Sequence, residues 1–350
     1  MSSPTPPTPP VRGPLLAEQP DRGGAGDPGG TAARPEPFRF AAPGARRRML
    51  LIVNPHASTV SARLRRLVLE ALRGRFEVDA VDTRAPGHAT ELCRQAAHVG
   101  YDVVVALGGD GTVNEAANGL LGSPTPLSAL PGGSANVFAK MLGIPGDLLD
   151  ATEHLLGLAD DWRPRRVDLG VVNGRCFTFS SGLGLDASVV ERVDSNPRMK
   201  ARLGPYYFTW VAVSTFLRRY LLRPPRLRVH AGARTLEGIT AVVQNGATFT
   251  YFQDRPIEIV EGASLRSGAL ASGVLHRGTP LSMPFIAWRA FSSRARVSDH
   301  RQVSPIAPRS ELTVRSADGR PLPLQADGDF LGEVDEARYS ILPEALNVVS

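Results

Sequence analysis

From residue 49 onward, short apolar runs are set between segments of helical period. The run Met49-Leu-Leu-Ile-Val53 closes on Asn54-Pro55, the pattern of a buried strand that ends in a turn. Leu64, Leu67, Val68 and Leu72 then recur at the spacing of one helix face, with arginines between them. Residues 76–81 alternate like a strand, 88–99 return to helical spacing, and 103–107 form a second buried apolar run. Residues 114–121 read as a helix, 127–130 as a strand and 137–142 as a helix. Strands alternating with helices predict parallel βαβ units and therefore a doubly wound, Rossmann-like α/β domain.

Past residue 165 the texture changes. Segments 167–172, 176–180, 227–230, 239–244, 257–260 and 311–314 are short, β-type and punctuated by Gly, Pro, Asn and Asp. They predict a mainly antiparallel β-sandwich domain. Residues 196–222 interrupt it and read as helical after Pro205. The opening, MSSPTPPTPP and its Pro/Gly-rich continuation, has too little apolar side chain to offset the entropy of ordering and is expected to be a disordered tail. It also lacks the basic start, apolar stretch and cleavage site of a secretory signal. The expected division is a tail over 1–45, an α/β domain over 46–165, a β-rich domain over 166–335, and a terminal segment, 336–350, returning toward the first domain.

Composition narrows the picture. At 350 residues and 42% hydrophobic, the chain can build about two cores, yet no run approaches the roughly 18 apolar residues of a membrane span. Two cysteines, Cys93 and Cys176, make neither a disulfide framework nor a zinc site by themselves and fit a reducing, cytoplasmic setting. The net charge of +6 favours acidic partners such as nucleotides or anionic lipid surfaces. No basic run is interleaved with aromatics, so nucleic acid is not an expected partner.

The sharpest chemistry lies where the strand over 103–107 meets Gly108-Gly109-Asp110-Gly111-Thr112-Val113-Asn114-Glu115. Open parallel sheets bind ligands at the carboxyl ends of their strands. Glycines there admit a phosphate close to backbone N–H groups, and the helix that follows adds a favourable dipole. Asp110 puts an anion where phosphates would sit, which calls for a divalent metal or a donated proton. Thr112 offers a hydroxyl. One βα unit later, Pro131-Gly132-Gly133-Ser134-Ala135-Asn136 repeats the design with a Ser hydroxyl and an Asn amide. Either turn alone is equally a capped glycine turn; the pair, on one sheet edge, points to a nucleotide.

These motifs resemble the diacylglycerol kinase catalytic-domain superfamily, the bacterial lipid kinases related to sphingosine kinases. Besides the two glycine turns, the matching residues are Asn54-Pro55, Phe138-Ala139, Gly143-Ile-Pro145, Phe179-x-x-Gly182-x-Gly184-x-Asp186-Ala187, Asp327-Gly328 and the terminal Ile341-Leu-Pro-Glu-Ala-Leu346. The first turn is shared with NAD kinases and phosphofructokinases, whereas the combination is more specific. The resemblance implies transfer of the γ-phosphoryl of ATP, with Mg²⁺, to a lipid hydroxyl. ATP would meet Asn54, Thr83, Gly108, Gly109, Asp110, Gly111, Thr112, Asn114, Glu115, Gly133, Ser134 and Asn136. The family's proton acceptor sits in a late Asp-Gly-Glu turn, here Asp327-Gly328-Asp329, so Asp329 is the first candidate base, ahead of Asp327. Asp110 is the next candidate for base or metal partner. A structural Mg²⁺ loop of the family corresponds to residues 263–271, where Ser267 and Ala271 replace carboxylates and Arg266 adds positive charge, so that site is expected to be lost.

Two other readings stand beside the lipid kinase: an NAD kinase-like enzyme, and a catalytically weak nucleotide-binding regulator at membranes. The basic, aromatic stretch from Met199 to Arg228 is expected either to pack in the core or to meet anionic head groups, giving a cytoplasmic protein peripherally bound to the membrane. A homodimer is left open.

Overall fold

The computed structural model describes residues 46–350 except 58–59, 253–254 and 293, with 197–198 and 200–206 described by their backbone alone. The predicted tail therefore lies outside the described residues. Parallel strands β1 (Arg48–Val53), β2 (Glu77–Asp82), β3 (Val103–Gly108) and β4 (Leu127–Pro131) alternate with helices α1 (Ala62–Arg73), α2 (His88–Val99), α3 (Asp110–Gly119), α4 (Val137–Met141) and α5 (Leu148–Gly157). They lie in the order β2-β1-β3-β4, with Met49 opposite Val103 and Val104 opposite Leu127. Every residue of β3 is buried, as a central strand covered on both faces must be. The apolar run that identified it in the sequence is a consequence of that double covering.

The chain continues through β5 (Arg165–Val172), β6 (Arg175–Phe177), β7 (Ser180–Gly184), α6 (Leu185–Asp194), α7 (Pro197–Thr215) and a π-helical turn, Phe216–Tyr220. Strands β8 (Leu227–Ala231), β9 (Arg234–Gly238), β10 (Thr240–Gln244), β11 (Thr250–Phe252), β12 (Arg255–Ile257) and β13 (Leu270–Leu275) lead to α8 (Ser282–Phe291). The last five strands are β14 (Val303–Arg309), β15 (Glu311–Ser316), β16 (Leu322–Ala326), β17 (Asp329–Val334) and β18 (Glu336–Val348). One sheet runs β14-β13-β10-β7-β16-β17. It shares a core, including Phe177, Leu183, Val229, Val243, Leu324 and Tyr339, with the antiparallel half of the other sheet. Phe177 and Tyr339 meet edge to face at 6.1 Å in that core.

The long strand β18 fuses the two halves. It pairs antiparallel with β5 and β15, and Val348 lies parallel against Leu127 of β4. The result is one ten-stranded sheet, parallel at one end and antiparallel at the other. A border near residue 165 thus runs through continuous hydrogen bonding.

Several boundaries differ from the sequence expectation. Helix α3 begins at Asp110, because Gly109 takes the extended N-cap conformation and leaves Gly111 in the first turn. Helix α7 begins at Pro197, whose fixed φ suits a first helical position, so the helix does not wait for Pro205. The expected strand over 257–260 ends at Ile257. Leu67, counted on the inner face of α1, is half exposed, while Val68 and Leu72 are buried.

Candidate active site

Two glycine turns at the carboxyl ends of β3 and β4 pack backbone against backbone. Gly132 N–H donates to Gly108 O at 2.9 Å, and a Cβ built on Gly133 would lie 2.7 Å from Gly109 Cα. Asn136 closes the second turn on itself from a left-handed conformation, φ 47°. Its Oδ1 accepts from Gly133 N–H at 2.9 Å and its Nδ2 donates to Gly133 O at 2.8 Å. Ser134 is exposed at the tip of that turn. On the first turn, Asn54 Nδ2 donates to Thr112 Oγ1 at 3.2 Å, tying the end of β1 to the start of α3. Gly133→Ala is therefore expected to cost about 1–3 kcal/mol by forcing two backbones apart. Gly109→Ala, whose Cβ would sit an ordinary 3.4 Å from Gly133 Cα, is expected to cost much less. Urea unfolding of the two variants checks the contrast.

The late Asp-Gly sequence is the tip of the β16–β17 hairpin. Asp327 and Gly328 both have positive φ, 49° and 81°, as a two-residue type I′ turn requires. The tip is not solvated: Asp327 is buried. Its Oδ2 accepts from Asn114 Nδ2 (2.8 Å), Thr178 N–H (2.6 Å) and Thr178 Oγ1 (2.8 Å). Its Oδ1 accepts from Phe179 N–H (3.0 Å) and Ser180 N–H (3.1 Å). Burial raises the Asp327 carboxyl pKa, and these donors pull against it. Asp327 is thus a clasp between α3 and the segment joining β6 to β7, with both oxygens engaged. Asp329, two residues on, has a different place. Its Oδ2 lies 3.0 Å from where a Gly111 Cβ would be, beside the first turn of α3.

Asp110 and Glu115 are engaged elsewhere. Asp110 Oδ1 accepts Phe138 N–H at 3.2 Å and so caps α4. Burial, with the charges of Asp327 and Asp329 adding to it, pushes its carboxyl up to about 6 against the backbone donors at Val137 and Phe138. Glu115 caps α2, accepting Gly87 N–H at 2.8 Å and Ala89 N–H at 3.1 Å. Asn114 is almost wholly buried and links Asp327 to Cys176 O. These three act first as fastenings of the site.

A cleft of about 830 Å³ opens between the α/β edge and the hairpin. Of the expected residues, Asn54, Thr83, Gly111, Thr112, Asn114, Glu115 and Asp329 line it. Gly108, Gly109, Asp110, Gly133, Ser134, Asn136 and Asp327 do not line this cleft. Arg84, Arg94, Arg175 and His56 also line it, and the three arginines supply the positive charge that phosphates would need. The sequence reading missed these four because single basic residues scattered over four segments carry no motif. Among the described residues no group of three or more His, Cys, Asp and Glu is arranged to hold a metal. Mg²⁺ commonly takes one or two carboxylates plus substrate phosphates. The carboxylates nearest the glycine turns are Asp110, whose Oδ1 holds α4, and Asp329, beside Gly111.

Two further carboxyls, Asp168 buried and Asp186 partly so, organise the β half. Asp168 accepts Gly268 N–H at 2.7 Å and Glu344 N–H at 2.9 Å, joining the loop before β13 to the bulge of β18. In that loop the Ser267 hydroxyl lies 3.0 Å from both Ser264 O and Ala269 O, and Ala271 is buried in β13. Asp186 opens α6 with its carboxyl wedged against Gly182 and receiving Gln325 Nε2 at 2.7 Å. Burial pushes Asp186 up to about 6 from 3.8. The folded state therefore binds this proton more tightly than the unfolded chain. Its contribution to stability is full below pH 3.8 and is lost as pH rises through about 6. Asp186→Asn, which keeps an acceptor for Gln325, is expected to gain about 2–3 kcal/mol relative to the wild type between those limits. Urea midpoints measured at both ends of the range check this.

Two glycine turns on the α/β edge thus face a carboxylate carried by a hairpin of the β half. The family model of the diacylglycerol kinase catalytic domain matches residues 48–172. A diacylglycerol kinase of Staphylococcus aureus (strain bovine RF122 / ET3-1) is 31% identical over 169 residues, 47% of this chain and 51% of that protein. The diacylglycerol kinase of S. aureus strain Newman is 30% identical over 167 residues, again 47% and 51%. The chain spans about half the length of these curated relatives in the matched region. The crystal structure of a diacylglycerol kinase from Bacillus anthracis strain Sterne superposes with a TM-score of 0.62 at 19% identity, over 87% of this chain and 96% of that one. A candidate diacylglycerol kinase from the same strain gives 0.67 at 21% identity, over 87% and 96%. Residues 48–172 of this chain are thus similar to the diacylglycerol kinase catalytic domain, and the fold shared with those structures extends across the β half.

Proposed function

We propose that this chain is an ATP- and Mg²⁺-dependent lipid kinase that transfers the γ-phosphoryl group to a lipid hydroxyl, working at the membrane surface. The observation that carries the reading is the approach of Asp329, from the β16–β17 hairpin, to Gly111 at the head of the glycine-turn helix. That approach supports reading Asp329 as a proton acceptor beside a phosphate cradle, as in-line phosphoryl transfer requires.

In this reading the N-terminus of α3, which lines the cleft at Gly111 and Thr112, receives the phosphates. Asn54 and Thr112, already hydrogen-bonded to each other, orient them, and Arg84, Arg94 and Arg175 offset their charge. Mg²⁺, when bound, neutralises the phosphate oxygens as charge moves to the leaving group. The alcohol oxygen forms its new bond to phosphorus as the bond to the leaving diphosphate breaks, and the hydroxyl proton passes to Asp329. Asp327, Asn114 and Glu115 contribute rigidity rather than chemistry. They hold the hairpin, α3 and α2 in one register, which matters where a misplacement of ~1 Å can cost about a hundredfold in rate.

The test is incubation of the protein with labelled ATP, Mg²⁺ and a panel of lipid alcohols, with NAD alongside. A phosphorylated lipid is the expected product. Phosphorylation of NAD alone, or ATP binding with no transfer to any lipid, would replace this reading with one of the two other readings of the sequence.

A further inference from the structure

Two helices on the β half leave large apolar side chains in water. On α7, Tyr207 and Val211 face a buried cluster, while Trp210 and Val213, with Leu217 of the π-helical turn that follows, stand outward at helical spacing. On α8, Met283, Ile286 and Ala290 pack against the same cluster, while Phe285 and Trp288, with Leu281 just before the helix, stand outward. The outward side chains are open: Leu281 is 82% exposed, Trp288 59% and Trp210 58%. An apolar surface groove of about 320 Å³ runs along Pro284, Phe285 and Trp288. The two helices are neighbours. A Cβ on Gly278, just before α8, would meet the ring of Phe216, just after α7, at 2.6 Å. Aromatic faces of this size on a water-soluble surface mark an interaction site.

Charge says what the site meets. Residues 196–228 contain eight Arg or Lys and no Asp or Glu, and residues 276–298 contain four Arg and no Asp or Glu. Arg218, Arg223, Arg277 and Arg294 are exposed. Among the described residues, carboxylates reach this region from flanking elements: Glu191 of α6 pairs with Arg219, Glu237 of β9 with Arg228 and Glu261 with Arg296, and Asp318 accepts from Arg226 N–H. Trp and Phe beside arginine is the composition that seats at the level of lipid head groups, with the rings at the apolar boundary and the guanidinium groups on anionic phosphates. A second copy of the chain fits poorly, because a two-fold contact would set this patch against itself, arginine facing arginine.

We infer that the outward faces of α7 and α8 form the surface that docks on an anionic lipid bilayer, with Trp210 and Trp288 entering the interface. This deepens the lipid-kinase reading by naming the face that meets the membrane. It is testable without turnover, so either can fail alone.

The experiment is flotation of the full chain with vesicles of phosphatidylcholine, or of phosphatidylcholine with phosphatidylglycerol, without ATP. The protein is expected to float with the anionic vesicles, to be released by salt, and to leave phosphatidylcholine vesicles largely unbound. Phe285→Ser combined with Trp288→Ser is expected to weaken partitioning about tenfold. In a W162F/W210F chain, Trp288 is the one remaining tryptophan of the three, and lipids brominated on the acyl chain are expected to quench it. That arm holds even if the double-serine variant fails to fold. Equal flotation of variant and wild type, no flotation with anionic vesicles, or an unquenched Trp288 on bound protein would each overturn the inference. So would a concentration-dependent dimer that the double variant dissolves in the absence of vesicle binding.

Discussion

Asp329→Asn is expected to lower kcat for lipid phosphorylation by about 10²–10⁴-fold while unfolding within about 0.5 kcal/mol of the wild type. The amide keeps the size and polarity of the side chain but cannot take up the hydroxyl proton. Asp329 sits at the start of β17, only partly buried, so the substitution disturbs little packing. Affinity for a non-hydrolysable ATP analogue is expected to hold, which separates loss of chemistry from loss of binding. Asp329→Glu adds one methylene and restores the residue seen in the family's late turn, so it is expected to recover much of the lost rate. Single-turnover kinetics on the three proteins make the comparison. Wild-type turnover in Asp329→Asn would move proton acceptance to another group. Asp110, with its carboxyl at about 6, would be examined next, although its tie to Phe138 N–H makes Asp110→Ala a lesion of α4 as much as of the chemistry.

Where periodicity and turn chemistry act locally, the sequence was a sufficient guide. The buried run at 103–107, the helix over 88–99 and the glycine turn after β3 are each set by a few adjacent residues, and each stands where it was expected. The β half was read more thinly. Helices α6 and α8 and strands β16 to β18 owe their positions to partners far along the chain, such as the β5–β18 pairing of Gly170 with Ile341. The same holds within the site. Glu115 closes the glycine motif after β3, so a nucleotide contact was the natural expectation. Its carboxylate also reaches back 26 and 28 residues to Ala89 and Gly87 to cap α2, a role no local signal carries. Asp168 gave no signal because a lone Asp in an apolar strand becomes intelligible only when Gly268 and Glu344 arrive to donate to it.

The pair Asp327 and Asp329 shows how neighbouring carboxylates of one turn divide their work, and the division has a measurable form. Asp327→Asn is expected to destabilise the fold by about 3 kcal/mol or more. The aspartate accepts from Asn114 Nδ2, Thr178 N–H, Thr178 Oγ1, Phe179 N–H and Ser180 N–H. An asparagine offers one acceptor oxygen and turns its NH₂ toward donors that are then left buried and unmatched, whichever way the amide is placed. Urea unfolding reads the loss directly. Turnover of the folded fraction is expected to fall as well, because Asn114 joins α3 to the hairpin through this carboxylate and Asp329 rides on that hairpin. The fall should be accompanied by a stability deficit that Asp329→Asn does not share. A stable Asp327→Asn with lost turnover, beside an unstable Asp329→Asn, would exchange the two roles and move the proton acceptor two residues back along the hairpin.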